Sequence, residues 1–492
     1  MDRLLAKLVV VTTSFVFIGG CSSSAPKRLV GGDAVLSAVS SDQSLVAVLT
    51  GTTRLATGAH LGQLEVVPAS GAPPTILDAR SSGGVFNRGT TLWFTGGVNV
   101  VSEGMPPSDH VYGALYVWTP ALPAPVKVGD NVREYYPSQN GESCVFMDWA
   151  APTIDAANTG TLVAVHAPSC GGEGCNALVL ERDVTLAQTA WRIAADGEHV
   201  LATVRGATAA DAGKVWLATM SAGQVQLLSP GVNARSAMMT PAGDTVAWVE
   251  GANEIHVMSS AGGEPTVITP AVPLLESASM IDAGSFIAKT RELATGPAAL
   301  AKVTATATTP LPVQKPQQYF VSQAVPGTSD HFVFYSLATV AANGEPDLWM
   351  LDFAAAAAQP VALAAAVDNP IGSALAISDD GSAIEYLDNF DPVTRRGDEY
   401  VVPLTKPTRS LVATGVHNAA FIPGTTRLLY INGPDADTGA GVLTLLPSPT
   451  ALPEVQSVGA VNFVDSRQSP ARTWFTQTTG APDDGVWYMP QP

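Results

Sequence analysis

Apolar residues along this chain gather in short runs of about five, each bounded by small and polar residues. Leu45-Val46-Ala47-Val48-Leu49, Thr91-Leu92-Trp93-Phe94, Val200-Leu201-Ala202-Thr203-Val204, Thr245-Val246-Ala247-Trp248-Val249 and Arg427-Leu428-Leu429-Tyr430-Ile431 are typical. They are rich in β-branched, aliphatic and aromatic residues, which suits a pleated, half-buried surface. A tight turn precedes each run: 41–44, 87–90, 138–141, 195–197, 241–244, 282–285, 326–329, 378–381, 423–426 and 465–468. Glycine supplies positive φ in such turns, proline fixes φ, and Asp or Asn bonds its own backbone. A later run in each unit, such as Ala114-Leu115-Tyr116-Val117-Trp118, Glu254-Ile255-His256-Val257-Met258 or Gly485-Val486-Trp487-Tyr488-Met489, tends to alternate polar and apolar.

The unit therefore predicts four strands, and it recurs roughly every 40 to 57 residues, the length of a four-stranded sheet with its turns. One such sheet cannot cover both faces, so units must shield one another. The fold class predicted is all-β, a β-propeller of four-stranded blades in one ring. A stack of separate sandwiches does not explain one turn formula recurring in register. About ten units are visible, more than the usual four to eight blades, so the ring is expected to hold seven to ten. The last unit ends one strand short, while Lys27-Arg28-Leu29-Val30-Gly31 is one strand too many and is similar to Val126-Lys127-Val128-Gly129. Pairing Lys27–Gly31 with 485–489 would close the ring and remove two exposed edges.

Ser378-Asp379-Asp380-Gly381 and Ala194-Ala195-Asp196-Gly197 resemble the Ser-Pro-Asp-Gly turn of TolB-type and WD40-like propeller repeats. Met258-Ser259-Ser260-Ala261-Gly262-Gly263 is similar to their later turn. The resemblance spans about 31 to 489 and is degenerate. It implies the fold rather than an activity, because propellers host unrelated activities, and such lipoproteins are often scaffolds or binding modules at a cell envelope. The small domain that precedes the TolB propeller has no counterpart, so its partners are not carried over.

The amino terminus reads as a secretory signal: Asp2, Arg3 and Lys7, then apolar Leu8 to Ile18, then Gly19 and Gly20 before Cys21. Ile18-Gly19-Gly20-Cys21 resembles the bacterial lipoprotein cleavage box, which implies cleavage before Cys21 and lipidation of its thiol and new amine. The other reading is a plain signal peptide with a chance cysteine. Two or more acyl chains anchor stably where one does not. Ser22 to Pro26 then form a tether, and Ser22 in place of Asp points to an outer membrane. The predicted domains are a signal peptide (1–20), a lipidated cysteine and tether (21–26), and a propeller (27–492). No later apolar run has the length of a spanning helix, the nearest being Phe353 to Ala366, interrupted by Gln359 and Pro360.

Formal charge is -18 with 25 basic residues, which disfavours nucleic acid. Hydrophobic content of 46% against 14% charged marks a core-forming chain with a bland surface. Cys170 and Cys175 bracket a glycine-rich loop and suit a local disulfide in an oxidising compartment. Cys144 lies in a strand-like run and suits a core position.

Signals for chemistry are absent from the sequence. It contains no Gly-x-Ser-x-Gly elbow and no His-Glu-x-x-His, and the seven histidines are scattered at 60, 110, 166, 199, 256, 331 and 417. Asp379-Asp380, Glu385, Asp388 and Asp391 lack calcium-loop spacing and read as solvated turn carboxylates, and Arg396-Gly397-Asp398 as a chance tripeptide. No catalytic, cofactor or metal residue is assigned. Trp93, Trp216, Trp248, Trp349, Trp474 and Trp487 are expected to fill space between blades. Tyr135 and Tyr136 are expected in the core, with a ring-face contact as the alternative.

The expected function is a non-catalytic binding or scaffolding propeller, held to the membrane by lipid on Cys21, with an envelope protein or glycan as partner. Alternatives are a propeller enzyme acting on glycan or peptide, and a spacer without a ligand. The contact surface is expected in loops 52–62, 96–113, 151–160, 389–398 and 433–441, between second and third runs and hence on one side. Shortening 96–113 to a tight turn is expected to spare folding.

Overall fold

The computed structural model describes residues 26–490 apart from 56–58, 88, 104–107, 154–157, 172–173, 207–212, 231–233, 241, 273, 292–296, 315, 324–330, 338–347, 353–359, 365–375, 379–380, 392–393, 395, 405–407, 423, 435–439, 466–471 and 480–482. Cys21 and the signal segment lie outside the described residues. The described chain is almost entirely β, with 36 strands and two single-turn 3-10 helices. All strand pairing is antiparallel, in two sheets of ten strands and four sheets of four. This arrangement is broadly that of a β-propeller. Among the described residues, no helix is long and apolar enough to cross a membrane.

The ten-stranded sheets arise where a strand changes partner midway. Thr75–Phe86 pairs with His60–Pro68 up to Ser81, then with Leu92–Glu103. Val126–Pro137 turns from Ser108–Trp118 to Ser143–Trp149 at Val132. Ser410–Phe421 and Glu454–Asp465 do the same at Val416 and Ala460. Cut at these bends, each long sheet falls into four-stranded units like the four separate sheets. Glycine in the positive-φ region sits at three bends, Gly83 (φ 102°), Gly415 (φ 64°) and Gly459 (φ 75°). At the fourth, Asp148 accepts from the amides of Asp130 (3.1 Å) and Asn131 (2.9 Å).

The tight turns share a hydrogen-bond pattern. In 138–143 the Ser138 hydroxyl donates to Asn140 Oδ1 (2.7 Å) and accepts from the Ser143 amide (3.0 Å). The Gly141 amide donates to Ser138 O (2.9 Å), with Gly141 at φ 80°. Ser40, Thr240 and Ser378 repeat the hydroxyl role for Leu45, Thr245 and Ala383. Successive turns also touch. Asn87 Nδ2 donates to Ser138 O (2.6 Å), Asn140 N to Ala195 O (3.0 Å), and Ser143 Oγ to Gly197 O (2.6 Å).

Of nine hydrophobic clusters among the described residues, eight lie between units successive in the chain and one lies between the first unit and the last. One packs Trp93, Leu115 and Val117 against Val132, Cys144, Phe146 and Val165. Another packs Leu201, Val215 and Leu217 against Val246 and Trp248. Each unit thus covers its neighbour's apolar face. Trp93, Trp248 and Trp474 are fully buried in such clusters, while Trp216, Trp349 and Trp487 are half-buried. At the chain ends, Lys27–Gly31 pairs with Gly485–Pro490. A shared cluster holds Leu36, Val46 and Val48 against Trp474 and Val486. The Leu36 amide donates to Thr476 Oγ1 (2.7 Å), and Asn462 Nδ2 donates to Leu36 O (2.9 Å).

The contact loops are corrected in part. Segment 96–113 is a hairpin arm: Leu92–Glu103 and Ser108–Trp118 remain paired as far as Glu103 and Ser108. Val98 and Tyr112 are buried, and the Tyr112 hydroxyl donates to Thr153 O (2.6 Å), tying the arm to the next unit. Shortening it would therefore uncover core. Strands also reach into 389–398, where Asp391 pairs with Arg396, and into 52–62, where Arg54 pairs with His60.

Candidate functional site

Two grooves lie at opposite ends of the strands. The first sits at the hairpin end, between the arm formed by Leu45–Arg54 with His60–Pro68 and the strand Leu92–Glu103. It measures about 610 Å³ and is lined by Arg54, Arg80, Thr50, Thr53, Gln63 and Ser102, among others. Two guanidinium groups in one groove stand out on a chain with net charge -18. Glu65 accepts from Thr50 and Gln63, and Asp78 accepts from the amides of Arg80 and Gly97. Beside Arg54, burial first and the Arg54 charge second hold His60 below the usual imidazole range.

The second groove, about 390 Å³, lies at the tight-turn end along the first strands of three successive units. Its lining includes Tyr136, Trp191, Arg192, Gln139, Met239 and Thr240. Tyr136 is 45% exposed and meets Trp191 edge to face at 5.4 Å between ring centres. Tyr135, its neighbour, points inward and donates to Trp93 O (3.2 Å). The core expectation holds for Tyr135, and the ring-face alternative describes Tyr136. Alternation along Val126–Pro137 separates them, since adjacent residues face opposite ways.

A third feature is a pair of buried carboxyls. Glu385 (3% exposed) and Glu399 (0%) lie on the paired strands Ala383–Asp391 and Arg396–Pro403. The register sets Glu385 opposite Val401 and Leu387 opposite Glu399, so both glutamates share the face of Ala383, Leu387 and Val401. Neither makes an ion pair among the described residues, and the buried Glu399 oxygens have no N–H or hydroxyl donor, only the carboxyl of Glu385 beside them. Burial pushes both well above the ordinary carboxylate range, and the neighbouring Glu385 pushes Glu399 further. The solvated-turn expectation is corrected for Glu385 and for Asp388, which is 4% exposed and lies 3.6 Å from Arg409 on the opposite face. Asp379 and Asp380 lie outside the described residues.

The remaining candidates are structural. Cys170 and Cys175 form a disulfide, with Cα atoms 4.0 Å apart. Cys144 is buried and free, and burial pushes its thiol up, which disfavours a nucleophilic thiolate. His166 Nδ1 meets Ser143 Oγ at 2.9 Å, a contact that superficially matches a catalytic dyad. Ser143 is fully buried and donates its proton to Gly197 O (2.6 Å), so His166 must be the donor in that contact and cannot act as base. His256 is held by Glu254 at 3.2 Å and stacks on Trp248. Among the described residues no three His, Cys, Asp or Glu side chains converge on one point.

Sequence reasoning did not single out Arg54, Arg80, Trp191 or Glu399. Arg54 lay inside a flagged loop, but nothing in its neighbours pairs it with Arg80. Trp191 precedes a turn by only a few residues, a position that its run shares with ordinary core tryptophans.

No family model matches the chain, and no curated protein matches it. Among solved structures, dipeptidyl peptidase 4 of Porphyromonas gingivalis is 10% identical, with TM-score 0.44 over 77% of this chain and 64% of that one, under two thirds of its length. A eukaryotic initiation factor is 12% identical, with TM-score 0.43 over 78% of this chain and 91% of that one. A putative TolB from Agrobacterium tumefaciens is 13% identical, with TM-score 0.26 over 48% of this chain and 84% of that one. The likeness is a distant one, to β-propeller and TolB-like proteins at the level of the fold, and it carries no activity.

Proposed function

We propose that this chain is a lipid-anchored binding module of a bacterial envelope, a single ring of about ten four-stranded blades closed by Lys27–Gly31 against Gly485–Pro490. Cys21 carries the lipid, 22–26 form the tether, and the outer membrane is the destination. The ring is non-catalytic, and its hairpin end makes the contact. The observation that carries this reading is the groove that Arg54 and Arg80 both line, two cationic side chains on an acidic molecule. Its partner presents a carboxylate on an envelope protein or glycan, since a guanidinium fork matches a carboxylate in two hydrogen bonds.

The test uses the detergent-purified mature protein and washed envelopes from its own cells. Wild type is expected to bind in a salt-sensitive way, and Arg54→Glu with Arg80→Glu to lose at least about tenfold in affinity, as two reversed charges should cost. Equal binding by the double variant overturns the assignment.

A second reading places a sugar on the exposed Tyr136–Trp191 pair, where an aromatic face stacks on an apolar sugar face. Trp191→Ala separates the two, because it removes that surface and leaves the arginine groove intact.

A further inference from the structure

We propose that Glu385 and Glu399 act as a proton-sharing latch that holds two successive four-stranded units together in acidic to neutral medium and loosens them as the medium turns alkaline. The latch sits where the units meet. Its face packs on Val416, Leu428, Tyr430 and Leu446 of the following unit, a largely apolar surface in which Tyr430 and its partner Thr444 are polar. Glu385 and Glu399 are diagonal neighbours in the ladder, with Cα atoms roughly 7–8 Å apart, within reach of two long side chains.

Among the described residues, the titratable groups around the pair are few. Tyr430 is hydrogen-bonded to Thr444, and burial raises it first, with the Glu399 charge adding to the rise. The strand Ala376–Ile377 offers no titratable group. Asp388, Tyr386, Tyr400 and Arg409 lie on the opposite face, where Arg409 pairs with Asp388 and stands 4.9 Å over the Tyr400 ring. The strand that joins the units adds His417 beside Val416. No lysine or arginine among the described residues pairs with either glutamate. A charged carboxylate in such a place is shut off from bulk solvent and has no counter-ion among the described residues, so it keeps a proton instead. A protonated Glu399 then donates to Glu385, and one shared proton removes the like-charge repulsion.

The sign follows from linkage. An acid whose folded value lies above its unfolded value binds more protons when folded. Stability is full below the ordinary glutamate range and is lost as pH rises through about 7 for Glu385, with Glu399 raised in the same direction by burial and by Glu385. For each such proton, the unfolding equilibrium constant rises about tenfold per pH unit inside the window.

Thermal unfolding of the full mature chain from pH 5 to pH 9 tests the latch, with Glu385→Gln, Glu399→Gln and the double variant. Wild type is expected to lose melting temperature steadily across pH 5–8. Glu399→Gln is expected to flatten that slope and to melt above wild type at pH 8. His417→Gln is the control, since a change of protonation at that imidazole would also bend the profile. Identical slopes in wild type and the double glutamine variant overturn the proposal, as does flattening by His417→Gln alone. Where a variant fails to fold, the infrared band of a buried protonated carboxyl in wild type at pH 7 decides. Its presence supports the latch and its absence ends it.

Discussion

The first long sheet, from Val35–Val39 to Ala177–Val184, and the four separate sheets between Thr189–Ile193 and Val361–Ala364 are built from the same four-stranded unit. They differ in what links one unit to the next. In the long sheet the outer strand of one unit runs on as the inner strand of its successor, through a bend at Gly83 or at 129–132. In the separate sheets that path meets Pro230 after Gln224–Ser229 and Pro270 after Thr266–Ile268, and the ladder stops. Proline has no amide to donate, whereas glycine turns through positive φ without losing its amide. Proline thus stands at two junctions where the ladder stops and glycine at one where it runs on, while the junction between Val184 and Thr189 is broken by the 3-10 turn Leu186–Gln188.

The largest expected effect is on the arm that Leu92–Glu103 and Ser108–Trp118 extend to the next unit of the long sheet. Replacing 97–112 by a two-residue turn removes buried Val98 and Tyr112 and the bond to Thr153. Loss of about 3–5 kcal/mol is expected by denaturant unfolding, in line with deletion of a large buried side chain. A variant as stable as wild type would return the segment to the status of an ordinary loop.

Next comes the direct contrast between bend and break. At Gly459 (φ 75°) a Cβ would collide with Thr479 and lie 2.9 Å from Thr478 O. Gly459→Val is expected to cost about 3 kcal/mol or more. Pro230→Ala, at an exposed break, is expected to cost under about 1 kcal/mol, through the unfolded chain. Comparable losses in the two melts would mean that linkage is not what distinguishes the regions.

The smallest effect concerns what the two regions share. Ser138→Ala removes a buried hydroxyl that both donates to Asn140 and accepts from Ser143. A cost of about 1 kcal/mol is expected, and Thr240→Val in a separate sheet is expected to match it, because the turn is the same. Unequal losses would show that the turns carry different loads in the two regions.

Much of this was legible beforehand. The turns at 41–44, 138–141, 195–197 and 378–381 announce themselves, because glycine and short polar side chains are needed locally. The pairing partner of Lys27–Gly31 was legible from a missing strand at one end and a spare at the other. The arm at 96–113 was not, because Gly96, Gly97 and Gly113 resemble loop glycines. Gly96 and Gly113 leave no room for a Cβ, lying against Asp78 and, at 2.8 Å, Gly96 O. Glu385 and Glu399 were invisible as a pair, since alternation gives each a plausible solvent-facing position and only the register puts both on one covered face.

The sequence by itself determined the β character, the four-stranded unit and its repetition, because turn chemistry and the period-two pattern act over a few residues. The tertiary structure alone decided which outward-looking positions become covered, which aromatic of the pair Tyr135 and Tyr136 stays at a surface, and that Arg54 and Arg80 line one groove. Those outcomes depend on contacts between units dozens of residues apart, and burial, not residue type, sets the charge a carboxyl can carry.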